Sequence, residues 1–589
     1  MEPNSIAPNI GFTSIIVALL ISLFYPIFVG FKFQKKSSSE VLWIGKQSAL
    51  INFILLVIAF LSLVYSFVIS DFSVSNVYLN SHQLKPFIYK ISAVWGNHEG
   101  SMLLLLLIIS GYSLIFAYLG KIDSQRKIIT LACQSFISFG IIAFVVFTSN
   151  PFLRIIPAPL SGLGLNPILQ DIGLAMHPPM LYTGYIGFSL IFSIAIASLL
   201  TEKIDQEFTR AIKPWLMFSW SFLTLGIGLG SWWAYRELGW GGYWFWDAVE
   251  NVSLMPWLCA TALFHSVMIL ERSDTLKIWT SFLAILSFVL CLLGIFLVRS
   301  GIITSVHAFA NDPKRGIFIV FLLLVIGGGG FLIFFIKSLR IKNNESDFAL
   351  FSKAGLVLIN NFILCLILFI VVLGTIYPLF AELFFSASIS VGPSYYKKLI
   401  SPLAIILLVL MIFVPYLKPS NSGFAKKNLK INFSPMFFGH LGIFIVILGI
   451  SLVALFSSSK EVNLKVDQKI EFAGYEVKFS NIEYGQGKNY LIRRGIFEIK
   501  NSNKNFILKP ESRYYPVSDQ NTTEASIKHL IDGDFYLVMG SKDELGNFAV
   551  RIYYKAFISL IWLGCLILFV AGIISILKRI KFKNLINLL

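Results

Sequence analysis

The chain has 589 residues, 56% hydrophobic and 13% charged, with a formal net charge of +17. A soluble domain carries about 25% charged residues, so this composition excludes an ordinary globular enzyme and points to a polytopic membrane protein. The basic residues fall in short clusters between apolar runs, a pattern of membrane topology rather than of a nucleic-acid-binding face.

Spans of about 20 apolar residues are predicted in chain order at 9–30, 48–70, 101–120, 128–148, 179–200, 214–231, 251–270, 278–298, 316–336, 354–376, 400–417, 436–457 and 556–578. The first follows Met-Glu-Pro-Asn, with no basic region before it and no small-residue cleavage site, and is expected to be a retained helix. The clusters FKFQKKSS, KIDSQRK, TEKIDQEFTRAIK, ERSDTLK, KSLRIKNN, KPSNSGFAKKNLK and the tail KRIKFK occupy every second connection, which predicts an external N-terminus and a cytoplasmic C-terminus. The expected fold is therefore a polytopic all-α membrane protein of about 13 transmembrane helices. It has a transmembrane core over 1–457 with an external aromatic loop at about 231–251, a small extracytoplasmic β domain over 458–555, and a last helix and basic tail over 556–589. In the β domain, Tyr475, Val477 and Phe479 alternate with Glu476 and Lys478, as a half-buried strand requires.

Five cysteines, Cys133, Cys259, Cys291, Cys365 and Cys565, lie scattered in apolar runs, so neither a disulfide framework nor a thiolate metal site is expected. No CxxCH occurs, so the chain is not itself a carrier of covalently attached haem.

The topology sorts the seven histidines. His265 lies six residues before Glu271 in the seventh span and His440 five residues after Pro435 in the twelfth. Six helical residues rise about 9 Å, which puts both imidazoles at similar depth in the inner half of the membrane. That is an arrangement for bis-histidine ligation of a b-type haem; the alternative is a polar residue bonded across a helix pair. Two others are external: His177 before the fifth span, where Pro178 and Pro179 predict an extended approach, and His307 after the eighth. His98 beside Glu99 reads as a helix-start polar cluster, and His82 and His529 have no supporting neighbours.

The external segment SWWAYRELGWGGYWFWDAVEN holds five tryptophans and two tyrosines, more than an interfacial aromatic belt requires. Its glycines let backbone approach a flat ligand, and its rings offer a water-excluding surface for a porphyrin. The run WGGYWFWD resembles the tryptophan-rich WWD signature of haem-handling membrane proteins of cytochrome c biogenesis. Together with WGNHEGS at 95–101, HPPMLYTGY at 177–185, LVRSGIITSVHAFA at 297–310 and LKPESRYYPV and TEASI in the β domain, it resembles the CcmF family of haem lyases from about residue 90 onward. Three spans separate His307 from His440, where longer members carry an extra helical hairpin.

The resemblance implies that His177 and His307 ligate a substrate haem and that His265 and His440 ligate a resident b haem. It further implies a haem-carrying chaperone, thiol-presenting subunits that deliver apocytochrome c, and a quinol, ubiquinol among them, as electron source. On this reading Trp240, Trp244, Trp246 and Asp247 stand at the reacting haem edge, and Trp232, Trp233 and Tyr243 add porphyrin contacts. Asp247, Glu250 and Arg236 either pair with propionates or partner groups or form ion pairs at helix ends. The expected location is a bacterial inner membrane, or that of a mitochondrion, with the active site periplasmic. The thiols belong to the substrate, so the lyase positions rather than attacks. Competing expectations are a haem exporter or haem chaperone, which needs no internal pair, and a quinol-oxidising respiratory subunit, which gives no reason for the aromatic loop.

Overall fold

A computed structural model describes residues 5–32, 38–302, 312–342, 349–387, 389–414, 433–502 and 504–579. The helices are α1 (Ala7–Lys32), α2 (Ser38–Ile69), α3 (Ser75–Asn80), α4 (Phe87–Ser92), α5 (His98–Leu119), α6 (Ser124–Thr148), α7 (Ile172–Leu200) and α8 (Gln206–Glu237). They continue as α9 (Ala248–Ser273), α10 (Lys277–Arg299), α11 (Pro313–Leu322), α12 (Gly329–Ser338), α13 (Lys353–Phe385), α14 (Pro393–Phe413), α15 (Pro435–Phe456) and α16 (Ser559–Arg579). A π-helical turn over Leu323–Gly328 joins α11 to α12 as one span.

Among the described residues, 12 helices are long and apolar enough to cross a membrane. The predicted span at 214–231 falls in α8, which has 32 residues but dilutes its apolar content with Trp, Ser and Gly. Those residue types suit a helix packed on protein: α8 lies along α7, α9 and α16, and small residues let helices approach closely.

Asp and Asn caps start several helices, their carboxylate or amide oxygens accepting the first free N–H groups. Asn97 accepts from the Gly100 nitrogen at 2.8 Å, and a β carbon at Gly100 would stand 1.7 Å from the Val94 carbonyl oxygen, so only glycine fits WGNHEGS there. At one end of the bundle Arg126, 1% exposed, gathers Asp123, Asp205 (2.9 Å) and Glu207, while Glu202 pairs with Lys337 at 3.0 Å. The connections predicted to share a side are thus tied together. At the other end Arg315 pairs with Glu99 at 2.8 Å and Arg154 with Asp71 at 3.5 Å. Arg126→Ala leaves three carboxylates crowded and is expected to cost about 2–3 kcal/mol, below the ~3–5 of a fully buried pair because the partners are partly solvated. Denaturant titration of the detergent-solubilised protein measures it.

A β-sandwich lies between α15 and α16 in sequence. Its strands are β1 (Ser458–Leu464), β2 (Lys469–Phe472), β3 (Tyr475–Gln486), β4 (Leu491–Lys500), β5 (Asn505–Leu508), β6 (Glu511–Tyr515), β7 (Gln520–Glu524), β8 (Ser526–His529), β9 (Gly533–Lys542) and β10 (Phe548–Ala556). One sheet has the order β1-β10-β9-β8; the other runs β2-β3-β4-β6-β7, with β5 pairing β4. Tyr475, Val477 and Phe479 point inward as their alternation requires, and Phe479 stacks on Phe497 at 4.4 Å. The sandwich sits on the bundle: the Tyr235 hydroxyl donates to Asp534 Oδ2 at 3.1 Å, and Tyr536, Tyr553 and Ile558 pack around Tyr235.

Candidate functional site

His265 and His440 come together. Their ring centroids are 6.5 Å apart with planes inclined by 53°. Each Nδ1 lies 2.8 Å from the carbonyl one turn earlier on its own helix, Thr261 for His265 and Met436 for His440. A backbone carbonyl accepts only from Nδ1–H, so both rings hold the tautomer whose Nε2 carries the lone pair. Two imidazoles on one metal ion, each bonded at roughly 2 Å, place their centroids about 6 Å apart. The residues present therefore fit a bis-histidine group.

Both histidines line a cavity of about 520 Å³ bounded by α8, α9, α13, α14, α15 and α16, within the roughly 300–1,000 Å³ of small-molecule sites. Tyr243, Trp244 and Trp246 line the same cavity. The sequence pattern separated an external aromatic platform from an internal histidine pair; the fold joins part of that platform to the pair. The wall between them is braced by indoles that sequence reasoning did not single out. Trp220 Nε1 donates to Thr261 Oγ1 at 2.9 Å, Trp257 Nε1 donates to Thr224 Oγ1 at 2.8 Å, and the two rings stack at 5.7 Å.

The aromatic stretch differs from the predicted loop. Helix α8 continues through Glu237, so Trp232 and Trp233 are helical, and only residues 238–247 are non-helical. Trp233, 5% exposed, packs its β carbon near Gly173 of α7 and offers no porphyrin surface; Trp232 lies under the Arg236 guanidinium at 4.6 Å. Trp240 is 44% exposed and meets Phe245 edge-on, Trp244 meets Trp246 edge-on, and the Tyr243 ring meets Trp562. Trp246 takes φ +57°, held there by stacking on Tyr396 at 4.4 Å and by Asn251 Nδ2 donating to its carbonyl at 3.1 Å. A bulky residue at positive φ is strained, and such strain persists where surrounding contacts over-determine it.

Asp247 and Glu250 form the capping box of α9, with Glu250 Oε2 accepting from the Phe245 and Asp247 nitrogens at 2.8 and 3.1 Å. Of the two readings of these acids, helix-end pairing describes their geometry, and Asp-x-x-Glu was a legible signal for it. Arg236 likewise pairs with Asp171 at 3.2 Å. Gly241, at φ +61°, turns toward the sandwich, where a β carbon would stand 2.9 Å from the Tyr553 ring. That glycine admits protein, not a flat ligand.

His177 is not on an extended approach. Asp171 caps α7, accepting from the Gly173 nitrogen at 2.5 Å, and His177 lies within the helix. Pro179 lacks the N–H that would bond Ala175, and Trp95 Nε1 of WGNHEGS donates to the Ala175 carbonyl at 3.1 Å instead. His177 Nδ1 lies 2.7 Å from the Gly226 carbonyl oxygen, again directing the lone pair to Nε2, and its ring fills the space that a β carbon at Gly230 would occupy. The cavity touches α8 at Thr224, Ile227, Gly228 and Ser231, whereas His177 meets Gly226 and Gly230, on the adjacent strip of that helix. His307 lies outside the described residues.

Where α7, α8 and β7 meet, Glu237 is half-buried beside Asp171 and Glu524. Burial first, then these neighbouring carboxylates, push its pKa up to about 9. A carboxyl raised in the folded state destabilises as pH rises from its ordinary 4.5 toward 9. Glu237→Gln is expected to flatten the decline of thermal stability across that interval, read by melting curves at stepped pH.

Two family models match the chain: one described as Cytochrome C assembly protein over residues 95–304, and one described as the CcmF C-terminal beta-sandwich over residues 455–556. The chain is 38% identical to the cytochrome c-type biogenesis protein ccl1 of Rhodobacter capsulatus, over 97% of its own length and 96% of the relative's. It is 36% identical to CcmF of Haemophilus influenzae, covering 98% and 99% of the two chains, and 36% identical to CcmF of Escherichia coli, covering 95% of each. The fold matches a solved structure titled Cytochrome c Heme Lyase CcmF with a TM-score of 0.78 at 20% identity, covering 97% of this chain and 98% of that one. With likeness running through both bundle and sandwich, the chain belongs to the CcmF family of multi-pass cytochrome c-type biogenesis proteins.

Proposed function

We propose that the chain is the haem lyase of a bacterial cytochrome c maturation system. Its periplasmic side is the end carrying the sandwich, and its substrates are haem and an apocytochrome with a CxxCH motif. The observation that carries this reading is the His265–His440 pair, with centroids 6.5 Å apart and both Nδ1 atoms fixed by backbone carbonyls. An exporter or passive haem chaperone has no use for such a pair. A b-type haem bound there supplies one-electron chemistry between a quinol and the substrate haem.

The chain's own residues orient and shield. Gly226 fixes the tautomer of His177, which together with His307 holds the substrate haem on the sandwich side; the aromatic stretch and the seated sandwich exclude water beside it. Each apocytochrome thiol adds across a haem vinyl group, forming one C–S and one C–H bond with no net redox change. The thiolate is the attacking species, so the lyase contributes position and a reducing environment. A haem-carrying chaperone and thiol-presenting subunits bring the two substrates together. Reconstitution of the chain with these partners and a CxxCH apocytochrome tests the reading. Thioether-linked cytochrome that forms equally well without the chain would overturn it.

A further inference from the structure

Among the described residues lining the His265–His440 cavity, Lys353 is the one lysine, arginine or carboxylate; apart from the histidines, Asn360 and the hydroxyls of Thr224, Ser231, Thr261 and Tyr243, the lining is apolar or aromatic. Two turns further along α13, Asn360 also lines the cavity, and its side-chain nitrogen is buried without a hydrogen-bond partner. Residues seven apart share a helix face and are separated by about 10 Å along the axis. Lys353 stands in the first turn of α13, after the cap Ser352, where the helix dipole disfavours a cation. Helix electrostatics therefore do not account for it. An amide donor without a partner in a membrane-embedded wall is costly unless a ligand meets it.

A b-type haem carries two propionate carboxylates on one edge and apolar substituents elsewhere, so a site within the membrane must compensate charge on one side only. From this match of polarity we infer that Lys353 and Asn360 hold the propionate edge of the haem ligated by His265 and His440. Lys353 is the ion-pair partner, its long stem running along the apolar wall, and Asn360 is the hydrogen-bond donor. The inference rests on the bis-histidine reading and adds an orientation to it: propionates toward α13 and the end of the bundle away from the sandwich, apolar edge toward Trp244 and Trp246.

The test compares purified wild type, Lys353→Met, Lys353→Arg and Asn360→Leu for haem dissociation rate and for midpoint potential across pH. Lys353→Met is expected to release haem about tenfold faster, as loss of a charge-assisted bond implies. Its midpoint potential should fall, because a nearby cation disfavours the ferric state. Lys353→Arg should stay near wild type, and Asn360→Leu should lose less than Lys353→Met. In the wild-type protein itself, iron protoporphyrin dimethyl ester, which has no carboxylates, should dissociate about tenfold faster than haem and should not distinguish wild type from Lys353→Met. Equal dissociation of haem and diester from wild type, or unchanged retention and potential in Lys353→Met, overturns the inference while leaving the histidine pair intact. A wild-type protein without b haem, or a His265→Ala variant that keeps it, overturns the bis-histidine reading and this inference with it.

Discussion

Replacing His265 or His440 with alanine is expected to strip the purified protein of a stoichiometric b-type haem while the bundle stays folded. Loss of an outer-shell contact to a metal-bound histidine alone costs about 10–100-fold in affinity, so loss of the ligand itself is expected to exceed about 100-fold. Folding should survive because the imidazoles bond only to carbonyls of their own helices, Thr261 and Met436, and do not tie α9 to α15. Absorbance spectra of the two purified variants, against a melting curve of each, read both parts. A full haem complement with an unchanged spectrum in either variant would sink the pairing.

His177→Ala is expected to lower haem attachment to a CxxCH apocytochrome at least about 100-fold in a reconstituted system, with the b-type spectrum unchanged. The two effects separate because His177 meets α8 at Gly226 and Gly230, whereas the cavity meets the adjacent strip at Thr224, Ile227, Gly228 and Ser231. Gly230→Ala should reproduce much of the loss without touching the ligand chemically, since its β carbon would stand 2.5 Å from His177 Cε1 and displace the ring. Attachment rates and spectra measured side by side decide this, and full activity in both variants would remove His177 from the site.

Much of this protein was legible before any coordinate. Hydropathy located the spans, and basic clusters paired the connections that Arg126 and Glu202 tie together. Period-two alternation at Tyr475, Val477 and Phe479 gave a strand of the sandwich. His265 and His440 could be matched by depth, because a helix rises uniformly and counting residues from a charged end is a measurement. Less of the aromatic stretch was readable. Counting rings cannot tell which way they face: Trp233 turns into α7, Trp246 faces the cavity, and Gly241 admits Tyr553. Pro178 and Pro179 argued for an extended segment before the fifth span, and α7 runs through both because Trp95, from the turn between α4 and α5, takes a carbonyl that Pro179 leaves open.

By itself, then, the sequence determined the class of protein, the order of bundle, β domain and last helix, and which histidines share a depth. These follow from local composition and from the regular rise and period of helix and strand. Only the tertiary structure decided that Trp244 and Trp246 share one cavity with His265 and His440, that His177 meets a different strip of α8, and that Lys353 and Asn360 face the histidine pair. The reason is rotational: depth along a helix is set by residue count, but the direction a side chain points is set by how neighbouring helices pack.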